Sequence, residues 1–143
     1  MMEPHRKGEV TEAVVVAELK KRGVPVSIPF GDNERYDAVL ETPDGQLVRA
    51  QIKTGRYDDG VIRFHTKTQH TNSQGNVYKH YGEKIDCFIV YSHELECLFL
   101  IDVDAFDTSI QLRVDPPEIE QSGINWAEDY AFDLSRFQYL KPA

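Results

Sequence analysis

Apolar and polar positions alternate most clearly between Tyr36 and Lys53. Two runs of period two flank Thr42-Pro43-Asp44-Gly45, where proline presets the first central position and glycine accepts positive φ. Such runs around such a turn predict a β-hairpin. Centred on Asp44, its register sets Glu41 against Leu47, Val39 against Arg49 and Asp37 against Gln51. Side chains alternate between the faces of a strand. Ala38, Leu40, Val48, Ala50 and Ile52 therefore share an apolar face, and Arg35, Asp37, Glu41, Arg49, Gln51 and Lys53 share a polar one.

Upstream, the pattern predicts a helix over Gly8–Arg22, closed by Gly23, with Lys20, Lys21 and Arg22 complementing the negative end of its dipole. Val10, Ala13, Val14 and Ala17 form one apolar stripe, and Val15, Val16 and Leu19 form a second. Glu12 projects from the second stripe, where a carboxylate calls for a cationic partner. A short edge strand is expected over Val24–Phe30, bounded by Pro25 and Pro29. After the hairpin come a turn-rich loop at 54–60, a strand over Val61–His65, and a polar loop or weak helix at 66–84. Ile85–Tyr91 and Cys97–Ile101 are strongly apolar strands. They precede a short turn or helix at Asp104-Ala105-Phe106, a strand over Ile110–Val114 and an aromatic tail. The order αβββ(β), loop, ββ, tail predicts an α/β (α+β) chain with a mixed central sheet flanked by helices. One domain over 1–143 is expected, with a core at about 7–106 and the tail 107–143 packed on it.

Composition sharpens this in two ways. The net charge of −8 argues against a polyanionic partner, but the charge is unevenly spread. Residues 1–84 hold 13 Lys/Arg and 12 Asp/Glu, whereas residues 85–143 hold 3 and 12. A local basic surface on the half carrying the hairpin is compatible with that distribution. Cys87 and Cys97 lie in separate apolar strands and read as buried thiols, so neither a disulfide framework nor a zinc site is indicated. No apolar run is long enough to span a bilayer and no signal-peptide core follows the first residues, so a cytoplasmic protein without membrane contact is expected.

A solvated polar face is the ordinary reading of such a hairpin. What changes it is the set Glu12, Asp37, Gln51 and Lys53. In that order these residues resemble the PD-(D/E)xK nuclease superfamily. Lys7-Gly8 ahead of Glu12 resembles the opening of archaeal Holliday-junction resolvases, and Tyr36-Asp37 followed by Gln51-Ile52-Lys53 is the core match. Gln51 stands where the usual second acid would be. That Gln-x-Lys variant resembles the group I intron-associated homing endonucleases, as do Arg35-Tyr36-Asp37, Gln51-Ile52-Lys53-Thr54, Tyr81-Gly82 with Ile85-Asp86, and Asn125-Trp126-Ala127-Glu128-Asp129-Tyr130. The resemblance spans roughly residues 7–132 and rests on short motifs.

The resemblance implies a restriction-endonuclease-like core and metal-assisted hydrolysis of DNA phosphodiesters, with duplex or branched DNA as substrate. Mg²⁺, with Mn²⁺ as substitute, would be held by Asp37, the Ile52 backbone carbonyl, Glu12 and the Gln51 amide oxygen, while Lys53 serves the attacking water. Arg49, Arg56, Arg63 and Lys67 are candidates to hold flanking phosphates, each reading equally as a solvated charge. His65, His70 and His80 lack metal-ligand spacing. Cutting both strands favours a homo-oligomer, a dimer or higher. The loss of an acid at Gln51 and the net negative charge keep a second reading open: a catalytically degenerate nuclease-fold module for DNA binding or assembly.

Overall fold

The computed structural model describes residues 3–31, 34–65, 67–72, 75–80, 85–103, 109–119, 121–140 and 142. In chain order the elements are α1 (Pro4–Lys21), β1 (Val26–Ser27), β2 (Ala38–Glu41), β3 (Leu47–Thr54), β4 (Arg56–Asp58), β5 (Val61–His65), β6 (Lys67–Asn72), β7 (Gly75–His80), β8 (Cys87–Ser92), β9 (Cys97–Asp102), β10 (Ser109–Arg113), a 3-10 turn (Ala127–Tyr130) and α2 (Leu134–Phe137).

The hairpin forms in the expected register, with Ala38 opposite Ala50, Val39 opposite Arg49 and Glu41 opposite Leu47. Its turn is closed by Thr42 N–H donating to Gln46 O (2.8 Å) and Gly45 N–H donating to Thr42 O (2.9 Å), with Gly45 at φ +88°. The sheet continues past β3 in the order β1-β2-β3-β8-β9. β3 and β8 run parallel while the other pairs are antiparallel, giving the mixed sheet of an α+β fold. β1 is a two-residue edge strand, shorter than expected, beside exposed Pro25. β8 is buried along its whole length, as a strand covered on both faces must be.

Alternation separates the two covering layers. Ala38, Leu40, Val48, Ala50 and Ile52 pack with Cys87, Ile89 and Tyr91 under Val15 and Leu19 of α1 and Phe137 of α2. On the other face, Phe88, Val90, Phe99 and Ile101 meet Ile62, Phe64, Ile110 and Leu112. Those residues come from a second antiparallel sheet, β10-β5-β4. Both helices thus lie on one side and a sheet covers the other. The tail is tied to the core where Phe132 N–H donates to Leu98 O (2.9 Å) and Arg136 Nη2 donates to Leu100 O (2.9 Å).

Several expectations change. α1 begins at Pro4, not Gly8, since proline is suited to the first helical turn, where its missing N–H is no loss. Its buried line is Thr11, Val15 and Leu19, spaced by four. Ala13 and Ala17 of the first expected stripe are exposed, and Glu12 stands exposed at the rim. The loop expected at 54–60 contains β4, because the chain passes from one sheet to the other at Gly55. There Gly55 N–H donates to Tyr91 O (2.9 Å), and a Cβ would sit 2.7 Å from Ile62 Cγ2 and 2.8 Å from Val90 Cγ1. The segment expected as a loop or weak helix is largely a two-stranded antiparallel ribbon, β6 with β7. Cys97 is exposed while Cys87 is buried, its thiol pushed up by burial first and by Asp86 and Asp102 next; the two do not face each other. Asp104-Ala105-Phe106 and Tyr81-Gly82 lie outside the described residues. Among the described residues no helix is long and apolar enough to cross a membrane.

Gly55→Ala forces a methyl into the seam between the sheets and is expected to cost about 1–3 kcal/mol by urea unfolding. An unchanged midpoint would mean that β3 and β5 separate there without loss.

Candidate active site

Asp37 sits where the chain enters β2, and its amide is held by Ala50 O (2.8 Å). Its carboxylate turns back across the hairpin, and Oδ2 accepts the Ile52 N–H at 2.8 Å. Gln51 and Lys53 flank Ile52 and, by alternation, point to the face opposite α1. Glu12 arrives from α1, which packs on β3 and β8. Four residues that span 41 positions of sequence, Glu12 to Lys53, are thereby gathered around the end of one hairpin.

The two acids meet directly. Glu12 is raised above the ordinary glutamate value by burial first, then by the Asp37 charge, by a hydrogen bond to Asp37 and by the Glu9 charge. Asp37 is also raised, by burial, against the lowering effects of the Ile52 N–H, the hydrogen bond from Glu12 and the Lys53 charge. The hydrogen bond between the two carboxyls lowers Asp37 and raises Glu12. Two carboxylates pressed together in this way disfavour double ionisation unless a cation enters.

Gln51 adds a second sign of an incomplete site. Its Oε1 is buried and has no hydrogen-bond partner among the described residues. An acceptor left in that state costs about 1–3 kcal/mol. Two carboxyls and an amide oxygen, with no sulfur or imidazole among them, form an oxygen-only donor set, which fits a hard divalent cation such as Mg²⁺ or Mn²⁺. Among the described residues there is no group of three or more His, Cys, Asp or Glu arranged for a metal, so any ion here would rest on this mixed set and retain waters.

The basic candidates separate. Arg49 is committed elsewhere: its backbone N–H and its Nε both donate to Oδ2 of Asp86, at 2.8 and 3.4 Å, and Asp86 is buried. Arg56 and Arg63 are directly opposite each other on β4 and β5, and Gln111 lies opposite Arg63 on β10. All three line a cleft of about 570 Å³ that Lys53 and His65 also line. Like charges directly opposed in a sheet are unfavourable, and neither arginine has a carboxylate partner among the described residues. Lys67 begins β6, and its side chain lies outside the described residues.

The hydropathy pattern did not single out Gln111, which joins the arginine row only through the β10–β5 register. It also passed over Thr11, Thr54 and His93, which are joined by hydrogen bonds beside Glu12 and Lys53. The spacing of Thr11, Val15 and Leu19 was the available signal for the first of these.

A family model described as PD-(D/E)XK endonuclease matches residues 2–133. The chain shares its fold with a bacterial homing endonuclease, I-Ssp6803I, at a TM-score of 0.73 and 24% identity, over 91% of this chain and 89% of that one. No curated protein matches the sequence.

Because both carboxyls are raised in the folded state, the folded protein binds more protons than the unfolded chain between the ordinary carboxylate range and the raised values. Their contribution to stability is present at low pH and is lost as pH rises through the raised values. Glu12→Gln is therefore expected to raise the metal-free melting temperature at about pH 8 and to lose that advantage toward about pH 4. A difference that stays flat across the range would contradict the raised Glu12 carboxyl.

Proposed function

The chain belongs to the PD-(D/E)XK endonuclease family, and from that premise we propose that it is a divalent-metal-dependent DNA endonuclease of the homing type. The observation that carries this reading is the buried, unpartnered Gln51 Oε1 next to Ile52, whose N–H holds the Asp37 carboxylate, with Glu12 and Asp37 both raised by burial. An oxygen-ligated cation relieves both at once.

In this reading Asp37, Gln51 Oε1, Glu12 and the Ile52 carbonyl would hold Mg²⁺, or Mn²⁺ in its place. When bound, the ion supplies Lewis-acid polarisation of the scissile phosphate and acidification of water. Ile52 N–H fixes the orientation of the Asp37 carboxylate. Glu12 would add its carboxylate oxygen to the same set. Lys53 orients the attacking water, and its ammonium offsets the charge that grows on the phosphoryl oxygens. Arg56, Arg63 and Gln111 hold a neighbouring phosphate in the shared cleft, while Arg49 braces β3 through Asp86. The ribbon β6–β7, which opens with Lys67, has the form of a two-stranded element that enters a major groove. A symmetric dimer or higher assembly would bring two such sites to the two strands.

Asp37→Ala and Lys53→Ala are each expected to lower Mg²⁺-dependent cleavage by about 10²–10³-fold or more, measured on a duplex library and a four-way junction side by side. Full activity in either variant would sink the assignment. The junction arm separates a resolvase-type substrate from a homing-type one. Gln51 also motivates a second reading, a nuclease-fold DNA-binding module without cleavage. DNA binding by the wild type without metal-dependent cutting of any substrate would favour it.

Arg56→Ala and Arg63→Ala are each expected to weaken DNA binding similarly across sequences. Each should also reduce the slope of log affinity against log salt by about one. An unchanged slope in both would remove them from the phosphate contacts.

A further inference from the structure

We propose that Thr11, Thr54 and His93 form a hydrogen-bonded clamp that positions Glu12 and Lys53 across the reaction centre, a role that rests on the endonuclease reading above. Thr11 is 1% exposed, and its hydroxyl makes three contacts: Lys7 O at 2.9 Å, Thr54 Oγ1 at 2.7 Å and His93 Nε2 at 2.7 Å. A hydroxyl has one proton and two lone pairs. Lys7 O can only accept, so Thr11 donates to it and accepts from both the Thr54 hydroxyl and His93 Nε2–H. Every valence of the buried oxygen is used, and the His93 tautomer follows from the count. His93 is held in turn by the edge of its ring against Tyr91, with centroids 4.9 Å apart.

Placement gives the clamp its function. Thr11 immediately precedes Glu12, and Thr54 immediately follows Lys53. Alternation along β3 sends Ile52 and Thr54 toward α1 and Lys53 to the opposite face. The other contacts along the buried line of the helix, Val15 and Leu19, are apolar. Apolar burial is non-directional, so it resists separation of the layers but only weakly resists sliding or rotation of α1. The bond to Lys7 O lies within α1, so the two directional bonds to Thr54 and His93 are the ones that fix the N-terminal half of the helix, where Glu12 must meet Asp37. None of the three clamp residues needs to touch substrate, so they are positioning residues.

The test is Thr11→Val, which keeps the shape and removes the acceptor, with Thr11→Ser as the conservative rescue. Cleavage is followed as kcat and KM separately, and backbone hydrogen exchange is followed over residues 8–12 and 15–19 in the metal-free protein. We expect Thr11→Val to lower kcat roughly ten- to hundredfold with KM for DNA unchanged, to speed exchange over 8–12 and to leave 15–19 protected. Thr11→Ser restores both. Should Thr11→Val fail to fold, Thr54→Val breaks the same bond from the other side and carries the same expectation. Unchanged exchange over 8–12 overturns the clamp whether or not the protein cleaves DNA. So does unchanged kcat against an active wild type. A wild type that cleaves nothing refutes the endonuclease reading instead, and the exchange data then judge the clamp alone.

Discussion

The pairing of β3 with β8 is the constraint from which the remaining geometry follows. It is the parallel contact in the mixed sheet, set by Ala50 beside Cys87 and Lys53 beside Val90. Parallel neighbours need a long crossover, and here the chain between β3 and β8 supplies β4 and β5 of the second sheet and the β6–β7 ribbon. The pairing is anchored at its start by Asp86, whose N–H donates to Arg49 O while its carboxylate accepts from Arg49 in return. At its other end Gly55 N–H donates to Tyr91 O. Between those two points β3 has one face committed to α1, which leaves Gln51 and Lys53 on the other.

That commitment explains why a polar site survives beside a dense core. The second sheet covers Phe88 and Val90 of β8, with Phe64 edge-on to Phe88 at 5.8 Å. It meets β3 at Gly55, where Ile62 and Val90 come too close for any side chain. The cleft lined by Lys53, Arg56, Arg63 and Gln111 opens beside that seam. Core packing and cleft therefore share one cause: the chain turns out of β3 at a glycine and returns as a second layer.

The hairpin was legible because its turn chemistry and its period-two pattern agree, and register then follows without tertiary information. Asp37, Gln51 and Lys53 were legible with it. The second sheet was not. Arg56-Tyr57-Asp58-Asp59-Gly60 carries turn residues, and its one inward-packing side chain, Tyr57, makes no pattern in so short a strand. The β6–β7 ribbon was hidden for a different reason: Lys67–Asn72 is polar throughout and offers no apolar alternation to read. On α1 the second expected stripe supplies Val15 and Leu19 of the buried line, but that line begins with a threonine, which hydropathy does not mark. The commitment of Arg49 depends on a residue 37 positions away across the parallel crossover, which local pattern does not reach.

The glutamine at position 51 can now be weighed electrostatically. Glu12 and Asp37 are both raised, because burial and the nearness of the two carboxyls oppose double ionisation. A third carboxylate in the same site would add repulsion in the unloaded protein and push more protons onto the cluster. Each of those protons must leave before a cation is fully coordinated, so part of the added attraction would be offset by deprotonation. A neutral amide oxygen avoids that coupling and still presents a lone pair, and Gln51 Oε1 has no hydrogen-bond partner among the described residues. The balance favours a cation held less tightly and with less dependence on pH. Under the proposed metal dependence, affinity then depends more on how well Glu12 and Asp37 are held at the right separation, and so on the docking of α1 on β3.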